Sequence, residues 1–374
     1  MNTNAVIGAG FGDEGKGLVV DYLCQKLKYP LVVRYCGGQQ AGHQVVVDND
    51  HCHVFSNFGS GTLHGAPTYW MPQCTIDPIG IVNECAILLK KGIEPELYID
   101  GKCPVTTPYE VIVNQKQENK LDHGSCKLGI NATYRREENH YSLLFEDLFY
   151  PSVVKIKLHL IAKYYNMPEV DEDSFLLACN ILQNHKYVKI APDNLNKQRN
   201  GKSFKSIVFE GSQGLLLDQN FGFFPHVTPS NTGLVNISNF YPLPWVVTRA
   251  YHTRHGNGPM TTENMPHNIK VNPWEENHDN SAQGTFKIGL LDLDLMKYGI
   301  SKDEFLRSYG FNLVITCLDL IDNEYRFIDN GVIKYCYDEN AFVKLILDSL
   351  GKQFKVHKLF VSHSPISSQL KEKI

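Results

Sequence analysis

The sequence has no long apolar run, no closely spaced pair of cysteines and no block of basic residues. A membrane-spanning helix needs about 20 mostly apolar residues, and no stretch of this chain supplies them. The ten cysteines are scattered without a Cys-x-x-Cys pair, so neither a structural zinc site nor a thioredoxin-like redox site is predicted. A formal net charge of −4 without a basic cluster gives no electrostatic footprint for nucleic acid. The start of the chain has no basic segment before its first apolar residues, so we expect a cytoplasmic protein without contact to a membrane or to nucleic acid.

Internal repeats and low-complexity tracts are also absent, and what the chain does contain is a series of short apolar segments that each run into polar residues. These segments are residues 5–7, 31–34, 207–209, 245–248 and 313–316. We expect polar loops after them, at residues 8–17, 37–43, 210–213, 250–254 and 317–319. Carboxyl ends of parallel strands meet at one ligand-binding edge of an open α/β sheet. The pattern predicts one large α/β domain over residues 1–374, with a mostly parallel central sheet and a helical excursion near residues 141–193.

The first polar segment, residues 8–17, has the sequence Gly-Ala-Gly-Phe-Gly-Asp-Glu-Gly-Lys-Gly and lies between an apolar strand and an apolar helix. Glycines let the backbone come close to a phosphate, and the amides at a helix N-terminus attract its negative charge. The segment therefore predicts a P-loop-like phosphate-binding turn.

Two known patterns overlap in this turn. Gly10-x-Gly12-x-x-Gly15 fits a dinucleotide fingerprint, but no acidic residue ends a clear second strand to bind a ribose, so a nicotinamide dehydrogenase is a weaker alternative. The spacing from Gly10 to Lys16 fits a P-loop, except that Gly17 replaces the hydroxyl residue that holds magnesium. Asp13 is then the candidate ligand for Mg²⁺.

Four separated blocks resemble the adenylosuccinate synthetase family. The Gly-Asp-Glu-Gly-Lys-Gly of residues 12–17 is the hallmark of that family, and residues 34–43, with Gly-Gly-Gln-Gln-Ala-Gly-His at their end, are similar to a second family block. Residues 209–214 and 227–232 form a third block, and residues 250–263 form a fourth. The blocks occur in the family's order, so the resemblance concerns the whole chain.

The resemblance implies a ligase that joins L-aspartate to C6 of a purine 5′-monophosphate, converting IMP to adenylosuccinate through a 6-phosphoryl intermediate while a nucleoside triphosphate is hydrolysed. It also implies a homodimer and Mg²⁺ held by Asp13 and the Gly42 carbonyl. Asp13 would be the general base, Gln213 would orient the purine, His43 would donate to the β,γ-bridging oxygen and Lys16 would neutralise phosphoryl charge.

Further residues are implied as nucleotide contacts by the same resemblance. They are Gly12, Glu14, Gly15, Gly17, Gln40, Ala41, Ser125, Thr232, Arg254, Asp319 and Ser362. Arg135 and Arg136 correspond either to an arginine that crosses the family's dimer interface or to solvated surface residues.

The chain departs from the family in three places. The counterpart of the aspartate-binding loop, residues 280–292, lacks the family's arginine and offers only Lys287, which cannot form a bidentate fork. Cys317 replaces the lysine that packs on the donor's guanine, although Asp319 is retained. Gln40 and Gln44 replace Asn and Thr near the acceptor nucleotide.

These departures leave two alternatives open. One is a divergent branch that includes phage enzymes acting on dGMP with ATP or dATP; some of those lack the catalytic aspartate, so the Asp13 of this chain favours IMP. The other is a non-catalytic nucleotide-binding protein, which would have no need of Asp13 and His43 together.

Overall fold

The apolar segments of the sequence form the strands of one central sheet. The computed structural model describes residues 2–48, 51–121, 126–191, 195, 204–277 and 284–373. The strands in these ranges are β1 (Asn2–Gly8), β2 (Pro30–Arg34), β3 (His43–Val46), β4 (Cys52–Phe55), β5 (Thr68–Trp70), β6 (Leu97–Ile99), β7 (Val188–Ile190), β8 (Ser206–Gly214), β9 (Leu243–Arg249), β10 (Tyr251–His255), β11 (Phe286–Asp292), β12 (Phe311–Thr316), β13 (Tyr325–Asp329), β14 (Val332–Cys336), β15 (Val356–Val361) and β16 (Lys371–Glu372).

The α-helices of the same ranges lie mostly between these strands. They are α1 (Lys16–Lys26), α2 (Pro78–Lys90), α3 (Pro108–Leu121), α4 (Ile130–Glu138), α5 (Pro151–Tyr165), α6 (Asp173–Gln183), α7 (Leu293–Lys302), α8 (Glu304–Tyr309) and α9 (Glu339–Gly351).

Ten of the described strands pair in the order β16-β15-β12-β9-β1-β8-β2-β5-β6-β7. All neighbours in this sheet are parallel except β15 and β16. The carboxyl ends of the parallel strands therefore meet at one edge, as the sequence predicted. The single α/β domain with a mostly parallel central sheet is confirmed.

Both faces of the central strands are buried, which explains why they appear as continuous apolar segments in the sequence. In β1, Val6 packs with Leu18 and Val19 of α1, whereas Ala5 and Ile7 belong to the core on the opposite face. Helix α1 is thereby fixed against β1, and the turn between them is held at the carboxyl edge of the sheet.

The segment predicted as a helical excursion contains α5 and α6, and it also supplies β7, the outermost strand of the sheet. Leu158 of α5 and Phe175 of α6 are buried in one core with Trp70 of β5 and Ile99 of β6. The excursion therefore covers the end of the sheet that is farthest from β16.

Two predicted loops are wrong, because both are strands. Residues 210–213 continue β8 as far as Gly214, and residues 251–255 form β10, which pairs antiparallel with β11 in a second sheet ordered β10-β11-β13-β14. His252, Thr253 and Arg254 are polar but at most 4% exposed. Polar residues indicate a loop only when they lie in solvent, and here the second sheet buries them.

No helix in the described ranges is both long and apolar enough to cross a membrane.

Arg136 contradicts both roles considered for it, because it is fully buried and reaches neither solvent nor another subunit. Its Nε lies 2.9 Å from the Glu110 carboxylate, and its Nη1 lies 2.7 Å from Glu137. The Val105 carbonyl accepts a further hydrogen bond from Nη2 at 2.6 Å. Arg136 is therefore a structural residue that ties α4 to α3.

Replacing Arg136 with Met should lower the free energy of unfolding by about 3–5 kcal/mol, because the fully buried Glu110 loses a charge partner. Replacing the neighbouring exposed Arg135 with Met should change the free energy of unfolding by no more than about 0.5 kcal/mol. Urea unfolding of both variants measures the difference. Equal stability of the two variants would contradict the structural role of Arg136.

Candidate active site

A cleft of about 930 Å³ opens at the carboxyl edge of the central sheet. Its volume is at the upper end of the range for small-molecule sites. Predicted site residues that line it are Gly12, Asp13, Gly15, Lys16, Gly17, Gln40, Ala41, Gly42, His43, Gln213, Arg254 and Asp319. The fold thus brings together residues from four separate polar segments of the sequence and from strand β10.

The turn between β1 and α1 is organised around the buried carboxylate of Glu14. This carboxylate accepts hydrogen bonds from the backbone N–H groups of Gly10 at 3.0 Å and Gly12 at 2.8 Å, and it pairs with the Lys16 ammonium at 2.8 Å. Glu14 lies behind the turn and is not among the residues that line the cleft. Its predicted nucleotide contact is therefore replaced by a structural role, in which it holds Lys16 and the loop backbone in place.

Helix α1 begins after Gly15, whose φ of 97° is left-handed. Its first turn carries no acidic residue, and residues 15–18 line the cleft. A Cβ atom on Gly17 would lie 2.7 Å from the Gln44 carbonyl oxygen. There is thus no room for the serine or threonine of a conventional P-loop, and a hydroxyl ligand for magnesium is excluded at this position.

The Asp13 carboxylate faces the cleft without a side-chain donor among the residues that the structure describes. Burial raises its pKa above the ordinary value of 3.8, and the positive charges of Arg249 and Lys16 offset part of this effect. Arg249 also donates from Nε to the backbone carbonyl of Asp13 at 2.5 Å. Asp13 is therefore a fixed carboxylate with raised proton affinity, which suits a general base.

His43 is oriented by Glu210, a site residue that the sequence analysis missed. The two side chains are 2.6 Å apart, from Nδ1 to Oε1, and Glu210 is completely buried in the middle of β8. Since Glu210 engages Nδ1, the histidine's Nε2 is left for a ligand in the cleft. Glu210 stands inside the block at residues 209–214, so its place next to Gly211 in that block was the available signal.

The pKa values of this pair follow from their burial and their neighbours. Burial lowers the pKa of His43, and the negative charge of Glu210 opposes that shift. Burial alone would raise the pKa of Glu210, but His43, Arg34 and Ser60 together lower it to about 2. Glu210 therefore remains ionised and accepts hydrogen bonds from the Ser60 hydroxyl and from the Ser60 N–H at 3.1 Å.

Gln213 has a left-handed φ of 58° and lines the cleft beside the first turn. Its Oε1 lies 3.8 Å from the position that a Cβ of Gly12 would take. The amide and the Asp13 carboxylate are thus available to the same ligand.

Three predicted nucleotide contacts do not fall in the cleft as the structure describes it. Thr232 is buried, and its backbone N–H donates to Asp218 at 2.7 Å; in the same block, Thr228 lines the cleft instead. Ser362 is buried with its hydroxyl donating to the Ser364 carbonyl at 2.6 Å, while Ser364 itself lines the cleft. Ser125 lies outside the described residues.

A segment before strand β11 also lines the cleft, although no sequence motif marks it. Asn272, Trp274, Glu275 and Glu276 belong to this segment. Glu275 pairs with Arg249 at 2.7 Å, and Glu276 accepts from the Gln44 amide at 2.9 Å. These contacts join residues 272–277 to both sides of the cleft.

Lys287 does not supply a free charge to the site, contrary to the expectation from the sequence. Its ammonium pairs with Glu263 at 2.6 Å and donates to the Gly258 carbonyl at 2.9 Å. It is not among the residues that line the cleft.

Comparison with known proteins assigns the family. The family model described as adenylosuccinate synthetase matches residues 5–345. The adenylosuccinate synthetase of Thermodesulfovibrio yellowstonii is 34% identical over 86% of this chain and 78% of its own length. That of Borrelia turicatae is 31% identical over the same shares. The chain belongs to the adenylosuccinate synthetase family. It is therefore a carbon–nitrogen ligase of purine nucleotide metabolism, and the dehydrogenase and non-catalytic alternatives are not favoured.

Solved structures confirm the family's fold. The fully ligated adenylosuccinate synthetase of Plasmodium falciparum superposes with a TM-score of 0.81 over 100% of both chains, at 20% identity. The succinoaminodeoxyadenylate synthetase of cyanophage S-2L, solved with dGMP and dATP, gives a TM-score of 0.65 at 16% identity over 99% of this chain and 95% of its own. Members of the adenylosuccinate synthetase family bind nucleotides and use Mg²⁺ in general.

Replacing His43 with Ala should lower kcat by about a hundredfold or more, because a donor to developing charge is lost. His64, which pairs with Asp21 at 2.7 Å and is not among the residues lining the cleft, is the matched control. His64→Ala should leave kcat near the wild-type value. The steady-state rate of phosphate release at saturating substrates gives kcat for both variants. A change confined to KM in His43→Ala would mean that His43 assists only ground-state binding.

The midpoint of the acid limb in the pH profile of kcat/KM should lie above 3.8, the ordinary pKa of an aspartate. Asp13 acts as a base only when it is ionised, and burial raises its pKa. Activity is then fully present above the pKa of Asp13 and is lost as the pH falls through it. A pH profile of kcat/KM measures the limb, with Asp13→Asn expected to be inactive throughout while it still binds nucleotide. A limb at or below the ordinary value, or turnover by Asp13→Asn, would contradict the role of Asp13.

Proposed function

We propose that this cleft joins L-aspartate to C6 of IMP to give adenylosuccinate, with GTP or another nucleoside triphosphate as phosphoryl donor. The observation that carries the proposal is the convergence of Asp13, Gln213 and the His43–Glu210 pair beside the first turn of α1. These groups supply a base, a purine-orienting amide and an acid in one cleft. We further propose a cytoplasmic homodimer, in accordance with the family resemblance.

In the first step, the oxygen at C6 of the purine attacks the γ-phosphorus of the triphosphate. This lactam oxygen is a poor nucleophile until N1 loses its proton, and the Asp13 carboxylate accepts that proton. The Gln213 amide holds the ring with N1–H toward Asp13. As the new P–O bond forms, the bond from the γ-phosphorus to the β,γ-bridging oxygen breaks, and His43 donates to the charge that develops on this oxygen.

In the second step, the amine of aspartate attacks C6 and inorganic phosphate leaves with its oxygen. The products are then adenylosuccinate, a nucleoside diphosphate and phosphate, so the oxygen from C6 ends in the phosphate. The leaving phosphate takes up the proton that Asp13 accepted from N1, which restores the Asp13 carboxylate. The amine attacks in its uncharged form, and the restored carboxylate accepts the proton that its nitrogen must lose in the displacement.

The residues of the cleft fit a magnesium ion that takes most of its ligands from phosphates and water. Mg²⁺ is commonly bound by one or two carboxylates together with substrate phosphates. Asp13 offers a carboxylate without a side-chain donor among the described residues, and Gly42 lines the same cleft. When bound, Mg²⁺ would neutralise phosphate charge. Lys16, whose ammonium pairs with Glu14 at 2.8 Å, lines the same cleft.

The alternative acceptor dGMP is not favoured, because the relatives above 30% identity are adenylosuccinate synthetases and the base expected for IMP chemistry is in place. Phosphate release with aspartate should therefore be fastest with IMP when IMP, GMP and dGMP are compared at a fixed donor. Faster release with dGMP, or no release with any acceptor, would overturn the proposal.

The donor site should accept ATP or dATP within about tenfold of GTP, equivalent to about 1.4 kcal/mol. Cys317 lines the cleft with a left-handed φ of 60°, but it lacks the long apolar stem of the family's lysine. Asp319 remains to accept hydrogen bonds from guanine, and water can satisfy it when adenine is bound. Specificity constants for the three donors at fixed IMP measure this preference. A thousandfold preference for GTP would show that the altered residues still select guanine.

A further inference from the structure

We propose that Arg254 binds a carboxylate of the amino-acid substrate, in place of the arginine missing from this chain's counterpart of the aspartate loop. The inference rests on the proposed function and names a residue for its dicarboxylate subsite. It revises the sequence-based assignment of Arg254 to nucleotide binding.

The charged residues of the cleft show which basic side chains can bind a carboxylate of the substrate. Among the described residues that line it, the lysines and arginines are Lys16, Arg135, Arg249 and Arg254. Lys16 is neutralised by Glu14 at 2.8 Å, and Arg249 is neutralised by Glu275 at 2.7 Å. Arg135 and Arg254 form no ion pair within the part of the chain that the structure describes. These two guanidinium groups therefore remain for anionic ligands.

Arg254 is held rigidly by neutral partners. Its side chain is 2% exposed, its Nη1 donates to the Pro259 carbonyl at 2.7 Å, and its Nη2 donates to the His226 carbonyl at 3.2 Å. The guanidinium carbon lies 4.3 Å from the centre of the Phe11 ring. These contacts fix the group's orientation without supplying a negative charge.

The guanidinium of Arg254 keeps unused donors. Arginine has five N–H donors, and the described contacts employ two of its nitrogens. The Nε atom is buried and has no hydrogen-bond partner among the described residues. A buried charge is costly unless it is paired, and an unsatisfied buried donor adds to that cost. A carboxylate bound from the cleft would relieve both costs, and the planar fork of arginine suits a carboxylate.

The position of Arg254 agrees with this role. In the ladder between β10 and β11, Arg254 lies opposite Lys287, which belongs to the counterpart of the aspartate loop. The charge of Lys287 is already taken by Glu263. Arg254 thus places an unneutralised arginine on the neighbouring strand, beside the segment from which the family's arginine is missing.

Kinetics with saturating IMP and donor test the proposal. Arg254→Met should raise KM for aspartate roughly tenfold to a hundredfold, the range for losing a hydrogen bond between charged groups. KM for IMP should stay within about twofold, and Arg254→Lys should recover part of the loss because it keeps the charge without the fork. Arg307→Met is the matched control, because Arg307 is an exposed arginine of α8 that does not line the cleft, and it should leave KM for aspartate unchanged.

Succinate provides a readout that does not depend on turnover, because it has both carboxylates of aspartate but no amine. Titration of succinate into the IMP-bound protein should show weaker binding to Arg254→Met, by the same factor as the rise in KM for aspartate. Arg307→Met, the control outside the cleft, should bind succinate like the wild type.

If folded Arg254→Met has unchanged KM for aspartate and unchanged succinate binding, the role of Arg254 is overturned, but the proposed function is not. If Arg254→Met does not fold, wild-type values of both quantities in Arg254→Lys would overturn it, because lysine cannot replace a forked contact. Absence of aspartate-dependent phosphate release by the wild type with every acceptor would instead overturn the proposed function and this inference together.

Discussion

The site depends on a buried carboxylate in the middle of β8, beside the carboxyl end of β2. Glu210 is fully buried and lies in register with Arg34 of the adjacent strand β2. A buried carboxylate is stable only when positive or hydrogen-bonding groups surround it, and here His43, Ser60 and the charge of Arg34 fill that role. Arg34 in turn donates to the Ala41 carbonyl at 3.0 Å, so the backbone just before His43 is held by the same group of charges. The position of His43, the proposed donor, thus follows from compensation of one buried charge.

The same principle separates the residues that support the cleft from those that are available to ligands. Glu14 neutralises Lys16 and accepts two loop amides, and Glu275 neutralises Arg249, which in turn holds the Asp13 backbone. These pairs are complete before any substrate arrives. Among the described residues, the groups left incomplete include the Asp13 carboxylate, with its raised pKa, and the Arg254 guanidinium, with its unpartnered Nε. The proposed base and the proposed carboxylate ligand are thus groups without a complete set of partners, and the paired residues around them hold them in place.

Sequence patterns predicted the central sheet because strands buried on both faces are continuous apolar segments, and the turn at residues 8–17 because its glycines need special backbone angles. They failed where burial of polar residues decides the structure. Strand β10 looked like a loop because Thr253 and Arg254 are polar, and Arg136 looked like a surface residue because its partner Glu110 is 26 positions away. Thr232 is the predicted nucleotide contact, but Thr228 of the same block lines the cleft, and only the path of the chain shows which of them faces it. Long-range pairing of charges has no local signal in a single sequence.

The departures from the family's loops leave the cleft with arginines that are held on the sheets. The arginine of the aspartate loop and the lysine beside the donor base are both missing, whereas Arg249 ends β9 and Arg254 lies within β10. Side chains on strands lose less freedom on binding than side chains on loops, because packing already fixes their rotamers. Arg249 and Arg254 are each at most 7% exposed and are held by carbonyl or carboxylate partners. A cleft whose cations are fixed in this way needs less ordering of a loop when its substrates bind, so loss of the loop arginine and retention of a ligase site are compatible.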